Sequence, residues 1–275
     1  MSDKELKELQ EYSLDILREV DKFCRENNIK YFLGEGTLLG GVRHQGFIPW
    51  DDDIDILMLR EDFDKFVNNF KSKDYGVEYF NTMKYWTVFA KVRLLKETKF
   101  YSPRLEKLQK YTGPRIDIMP LDYFPNTNSF KEKFIIKKID LLKILLRNKV
   151  VPVGKKKYIL GYLVWLLTKI VPYKWIVNSI NKIMQKYDNK CSYVINYGSE
   201  YDKKKEIFPI EYFSEVEEID FNNLKTYISP HADDMLRQIY GDYMRLPPIE
   251  KRVVKHYLKV RKCSNDKSIN NCTGL

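Results

Sequence analysis

Four aspartates in five positions, Asp51-Asp52-Asp53-Ile54-Asp55, run directly into Ile56-Leu57-Met58-Leu59. This is the strongest constraint in the chain. The apolar run reads as a buried strand over Asp53–Leu59, and in a strand successive side chains alternate faces. Asp53 and Asp55 then project to one side while Ile54 and Ile56 enter the core. Carboxylates gathered at the mouth of a buried strand repel one another unless a cation or a basic partner compensates. Hard oxygen ligands at this spacing suit Mg²⁺ or Mn²⁺, which bind a few carboxylates and leave other positions to phosphate and water. A surface acidic turn is the plainer alternative, and the apolar strand behind the run argues against it. The strand start also puts the acids at a sheet rim, where open α/β sheets place ligands.

Upstream lies Gly34-Glu35-Gly36-Thr37-Leu38-Leu39-Gly40-Gly41. Gly36–Val42 reads as a turn that opens into a short helix. Glycines such as Gly36 and Gly40 let backbone N–H groups approach phosphate, and the Thr37 hydroxyl could donate to it. The segment lacks the lysine of a Walker loop and does not fit G-x-G-x-x-G. Its alternative is a tight turn over a packed leucine pair.

Helical spacing marks residues 3–27, with Leu6, Leu9, Ile16, Val20 and Phe23 on one face, and resumes over Arg60–Phe70. Strands are expected at Lys30–Leu33, Val77–Asn81, Trp86–Leu95, Arg115–Met119, Tyr193–Tyr197 and Ser214–Ile219. Pro114 and Pro120 bracket the fourth of these. Further helices are expected over 129–149, 155–188 and 230–240. The chain thus divides near Asn126, where composition turns basic, into a mixed part over 1–125, a basic helical segment over 126–190 and a C-terminal part over 191–275.

Charge sharpens this division. The formal charge is +10, yet residues 126–190 hold 15 Lys/Arg against 3 Asp/Glu, while the flanking parts are nearly balanced. Such a block suits an anionic surface. Its apolar stretch Tyr158–Leu167 is too short to span a bilayer and fits an interfacial helix or a buried one. With 20 Tyr and 15 Phe in 275 residues, the composition excludes wholesale disorder. Four cysteines without a CxxC pair and only three histidines argue against a disulfide scaffold or a Cys/His zinc site. The charged N-terminus lacks a signal-peptide pattern, so a cytoplasmic setting is expected.

The segment GTLLGGVRHQGFIPWDDDIDI resembles the signature of the LicD family, which includes bacterial phosphocholine transferases and relatives of fukutin and fukutin-related protein. Arg115-Ile116-Asp117-Ile118-Met119-Pro120-Leu121-Asp122 and YGDYMRLPP (Tyr240–Pro248) are similar to later family segments. The likeness covers most of 30–125 and about 230–257. It implies a nucleotidyltransferase fold like that of DNA polymerase beta, an α/β (α+β) architecture with a mixed sheet flanked by helices, here carrying a basic helical insertion. Asp53 and Asp55 match the strand pair that would hold the metal, and Asp51 stands one step further out and could assist. Asp117 is the third carboxylate, to bind a second metal ion or accept the proton of the attacking hydroxyl, unless it is a buried acid paired with Arg115. Gly41 stands where many members have Ala, an exchange expected to be neutral.

The resemblance implies transfer of a phospho-alcohol from a CDP-alcohol, phosphocholine from CDP-choline first among them, to a hydroxyl of a surface glycan, teichoic-acid or lipopolysaccharide precursor, with release of CMP. Arg43, Lys91, Arg93 and Arg115 are candidates to meet the phosphates, Lys91 and Arg93 because alternate strand residues share a face. Tyr243, Arg252 and His256 would close the site from the C-terminal side. Trp50 reads as core before base-stacking. The acceptor could be lipid-linked, with peripheral membrane contact through 126–190, and no nucleic acid is expected. Transfer of NMP from an NTP would use the same acids. A non-enzymatic membrane- or RNA-binding protein would gain nothing from them.

Overall fold

The computed structural model describes residues 1–103, 105–106, 108–125, 130–150, 166, 168, 170–254 and 258–261. The N-terminal helix α1 (Asp3–Glu26) starts at a reciprocal cap: Glu5 N–H donates to Ser2 Oγ, and Ser2 N–H donates to Glu5 Oε2. Its inward stripe of Leu14, Ile16, Leu17, Val20 and Cys24 packs over the central sheet, and Leu6 and Leu9 are buried nearer its start.

That sheet contains β1 (Phe32–Leu33), β2 (Asp55–Leu59), β3 (Tyr75–Glu78), β4 (Ala90–Leu94), β6 (Arg115–Phe124), β7 (Tyr193–Asn196) and β8 (Ile207–Pro209). Its order is β1-β2-β6-β4-β3, with β7 also on β6 and β8 on β7. β2 and β6 are parallel, and the other pairs are antiparallel. Two short pairs stand apart: β5 (Phe100–Tyr101) with β11 (Lys259–Val260), and the hairpin β9 (Glu217–Phe221)–β10 (Leu224–Ile228). Asn222 and Asn223 turn that hairpin at φ 49° and 63°, the left-handed region that two-residue hairpin turns require.

β6 runs straight through Pro120 rather than ending there, and the reason is geometric. On one edge β4 pairs with residues 115–118 and β7 with residues 121–124. Asp117 N–H points to the other edge, where it donates to the Ile54 carbonyl at 2.8 Å. Alternation therefore aims the donor that proline lacks into the gap between β4 and β7, where no ladder bond is required.

Helix α2 (Glu35–His44) links β1 to β2, and α3 (Arg60–Asn69) follows β2. Arg60 anchors α3 by a two-pronged bond to buried Asp122, Nε–Oδ1 2.7 Å and Nη2–Oδ2 2.9 Å. The acid that closes the RIDIMPLD segment is thus an anchor. α4 (Phe130–Val150) and α5 (Tyr173–Met184) pack on each other and on Val88, Phe124, Ile195 and Tyr197, forming a second core beside the first. α6 (Ala232–Tyr240) closes the fold against α2. The apolar run at 158–167 lies outside the described residues apart from Leu166. The expected strand at 214–219 falls instead at Glu217–Phe221.

Candidate active site

Strand register builds the centre of the site. Asp55 pairs with Asp117, Asp117 with Lys91, and Lys91 with Glu78, a row across β2, β6, β4 and β3. Directly opposed residues share a face. That face therefore carries acid, acid, base and acid in sequence, with Arg115 and Arg93 two residues further along. Lys91 Nζ donates to both carboxylate oxygens of Asp117, and Arg115 Nε stands 3.7 Å from Asp117 Oδ1. Burial pulls the Lys91 ammonium down to about 8 against the opposing pull of Asp117.

Arg93 has a different fate. It is 1% exposed, and its Nε and Nη2 donate to Glu78 at 2.6 and 3.0 Å while Nη1 donates to the Gly113 carbonyl at 2.7 Å. Lys91 and Arg93 do share a face, but Arg93 is committed to Glu78 and does not reach the acids. This corrects its expected part in phosphate binding.

β2 begins at Asp55, so Asp53 belongs to the loop before it. One carboxylate oxygen from each of Asp51, Asp52 and Asp53 lies within 4.8 Å of the others. Gln10 Nε2 buttresses this loop by donating to the Asp51 carbonyl at 2.7 Å. The amino end of α2 presses against it. A Cβ at Gly36 would stand 2.8 Å from Asp51 Oδ2. The buried Thr37 Oγ1 accepts the Asp55 N–H at 2.8 Å, so Thr37 positions an acid through its oxygen. The positive end of the α2 dipole thus meets the negative cluster. Contrary to the open-sheet rule, the acids sit at the amino ends of β2 and β6; helix α2 makes this end the polar one.

The cluster is rich in negative charge. Burial, then Asp51 and Asp117, push Asp53 up to about 7, against Arg115 and Lys91. Asp55 is raised well above the usual carboxylate range by burial and then by Asp53, Glu35 and Asp117. Buried hard oxygens that repel one another are the donor set that suits Mg²⁺ or Mn²⁺. Asp52 joins Asp51 and Asp53 in this group, although its place beside them in the sequence did not single it out. Arg115 lines a small cleft with Asp52, Asp53, Leu9 and Leu258.

A second polar group escaped the sequence reading altogether. Glu35 opens α2 with φ +45°, an unusual conformation for a residue with a side chain. Asn196 Nδ2 donates to Glu35 Oε1 at 3.3 Å, and the nearby Ser199 side chain favours the ionised form of both Glu35 and Glu206. Burial, then Glu206, push Glu35 up to about 8, and burial pushes Glu206 up to about 7. Lys203 Nζ is anchored on the Ser199 carbonyl. These residues meet because β7 joins β6, a pairing that no local motif announces.

Arg43 lies at the far end of α2 from the acids. It donates to the Tyr243 carbonyl through Nη1 and to His44 Nε2 through Nε, the latter at 3.0 Å. Burial, then Arg43, lower the His44 imidazole. Trp50 packs partly buried on the main core, edge-on to His44, with the Arg252 guanidinium 5.6 Å from its ring centre. Tyr243 is buried, and its hydroxyl donates to Asp233 at 2.6 Å. Arg43, Tyr243 and Arg252 therefore tie the YGDYMRLPP segment to the loop leading into Asp51, at one remove from the acids. His256 lies outside the described residues.

Fold and site together define a mixed α/β protein whose buried carboxylates, backed by Lys91 and Arg115, gather at the amino end of a short helix. The family described as LicD/FKTN/FKRP, nucleotidyltransferase domain, matches residues 28–144. The lipopolysaccharide cholinephosphotransferase LicD of Haemophilus influenzae is 32% identical over 269 residues, covering 91% of this chain and 96% of the relative. Uncharacterized proteins of Rickettsia typhi and Rickettsia prowazekii are each 42% identical over 67 residues, 23% of this chain. The chain belongs to the LicD family and is a transferase of the LicD type. Membership removes the non-enzymatic alternative.

Proposed function

We propose that this enzyme transfers phosphocholine from CDP-choline to a hydroxyl of a lipopolysaccharide-type glycan, releasing CMP. One observation carries the reading: Asp51, Asp52, Asp53, Asp55 and Asp117 all lie within the family match, in a chain similar along nearly its whole length to a cholinephosphotransferase. We read the fold as the nucleotidyltransferase type. A glycine-bearing helix, an acid in the loop before a strand that itself opens on a second acid, and a third acid on the neighbouring strand support that assignment.

In the proposed reaction the acceptor oxygen attacks the choline-bearing phosphorus, and the bond from that phosphorus to the CMP oxygen breaks. Asp51, Asp52, Asp53 and Asp55 are the residues that would hold Mg²⁺ or Mn²⁺. When bound, such an ion neutralises charge on phosphate oxygens. Arg115, which lines the cleft with Asp53, is our candidate to meet a phosphate oxygen. Asp117 is our candidate to bind a second metal ion or to take the proton of the attacking hydroxyl, with Lys91 beside it holding both carboxylate oxygens. General-base help of this kind contributes about 10²–10⁴-fold.

The test is calorimetry with Mg²⁺ or Mn²⁺ present, comparing CMP, CDP-choline and ATP, repeated with Asp53→Asn. Metal-dependent preference for the cytidine ligands, lost in the variant, is the expected result. Preference for ATP would replace the reading with NMP transfer from an NTP. Cytidine binding indifferent to Asp53 would overturn the assigned site.

A further inference from the structure

Helix α4 is apolar on two opposite sides. Its inward side buries Ile139, Leu142 and Leu146 in the second core. Its outward side carries Phe130, Phe134, Leu141 and Ile144, spaced by four, seven and three residues, so they form one stripe. Their exposures are 91%, 68%, 50% and 50%. Scattered exposed apolar residues are ordinary; a continuous stripe on the solvent side of a helix marks an interaction surface.

The charges beside the stripe identify its partner. At 100° per residue, Lys131 and Lys138 flank one side of it, Lys133 and Arg147 the other, and Lys137 lies within it. All five are exposed. Of the two acids on α4, Glu132 is buried and Asp140 stands 3.8 Å from Lys143. The surface is therefore aromatic and aliphatic in the middle and cationic at both margins. At the carboxyl end of α4, where Lys149 Nζ donates to the Thr168 carbonyl, Ile170 and Trp175 are also exposed, beside Lys174.

We infer that the outward face of α4 docks on an anionic lipid bilayer, with Phe130, Phe134, Leu141 and Ile144 entering the headgroup boundary and the lysines meeting lipid phosphates. An interfacial helix needs this combination of a narrow apolar stripe and basic flanks. A second copy of the chain is a poorer partner, because two such faces would set lysine against lysine. Nucleic acid is poorer still, since Leu141 and Ile144 offer nothing to phosphate or base edges. Lipid binding is read with no donor or acceptor present, so the inference stands apart from the phosphocholine reading.

Sedimentation of the full chain with phosphatidylcholine vesicles, with and without phosphatidylglycerol, tests it. Wild type should bind the phosphatidylglycerol vesicles, less so as salt rises, and leave pure phosphatidylcholine largely unbound. Phe130→Ser/Phe134→Ser removes side chains that support no core and should weaken binding at least about tenfold. Lys131→Ser/Lys133→Ser/Lys138→Ser should weaken binding too and flatten the salt response. Circular dichroism and the melting temperature should match wild type in both variants. Undiminished vesicle binding by the phenylalanine variant would overturn the proposal. So would a wild-type dimer that the same variant converts to monomer without any change on vesicles.

Discussion

Asp53, partly buried, and Arg93, fully buried, are both charged groups of the centre, and opposite consequences follow from removing them. Arg93 neutralises Glu78 through two hydrogen bonds, so Arg93→Met leaves a buried carboxylate with no charged partner there and only the neutral Gln109 amide donating to it. Breaking such a pair costs about 3–5 kcal/mol, and urea titration should show a loss of this size while the folded fraction keeps its nucleotide affinity. Equal loss of affinity and stability would return Arg93 to the phosphate site. Asp53 instead sits among Asp51, Asp55 and Asp117, and burial with this crowding holds its carboxyl near 7. Asp53→Asn should therefore raise the melting temperature of metal-free protein at pH 8 while lowering turnover by at least about a hundredfold. A stabilised, fully active variant would remove Asp53 from the reaction. The sequence alone could place Lys91 and Arg93 on one face by alternation. It could not assign their partners, because Glu78 and Asp117 arrive from different strands.

Among the elements, α2 joins packing to the site through its glycines. A Cβ on Gly40 would lie 2.4 Å from the backbone carbonyl of Gly46, which has no rotamer to give way. Gly40→Ala should cost about 1–3 kcal/mol in thermal or urea unfolding. At Gly41 the nearest atom is Ile219 Cδ1, 2.6 Å away at the end of a movable side chain, so alanine there should be nearly neutral. Gly36→Ala meets the Asp51 carboxylate rather than the core. Its melting temperature should hold while metal affinity, read by calorimetry with Mn²⁺, falls; unchanged affinity would separate Asp51 from the cation. The periodic elements were legible because their patterns are local: α1, α3, the acid-headed β2 and β7 stand close to where spacing puts them. The stretch expected as a turn opening into a short helix is helical from Glu35 onward, since packing against β1, β2 and β9 outweighs the low helix propensity of glycine. The continuation of β6 through Pro120 was hidden for a related reason, because only the split of its partners between β4 and β7 makes a proline harmless there.

Across the whole molecule the acids and lysines of the centre act as one electrostatic system, and its pH dependence follows from the direction of each shift. Unfolded carboxyls titrate near 4 and unfolded lysines near 10.4. In the folded protein Asp53 and Glu206 lie at about 7 and Glu35 at about 8. Between pH 4 and 8 the folded state therefore holds more protons on these groups than the unfolded state, and stability falls as pH rises through that window. Lys91 and Lys143 are depressed to about 8. From pH 8 toward 10.4 the folded state holds fewer protons on them, so their contribution rises there, opposed by the raised Cys24 thiol. The lowered His44 adds a rise that ends at the ordinary histidine value, about 6.5, and the decline is best read above it. In a metal chelator, the melting temperature should drop from pH 6.5 to 8. Saturating Mg²⁺ or Mn²⁺ binds the ionised carboxylates, so it should stabilise most at pH 8 and flatten the decline. Asp53→Asn should flatten it too, because one of the titrating acids is gone. A chelated wild type that grows more stable between pH 6.5 and 8 would mean that the cluster is already neutralised from within, leaving a divalent cation no electrostatic reason to bind.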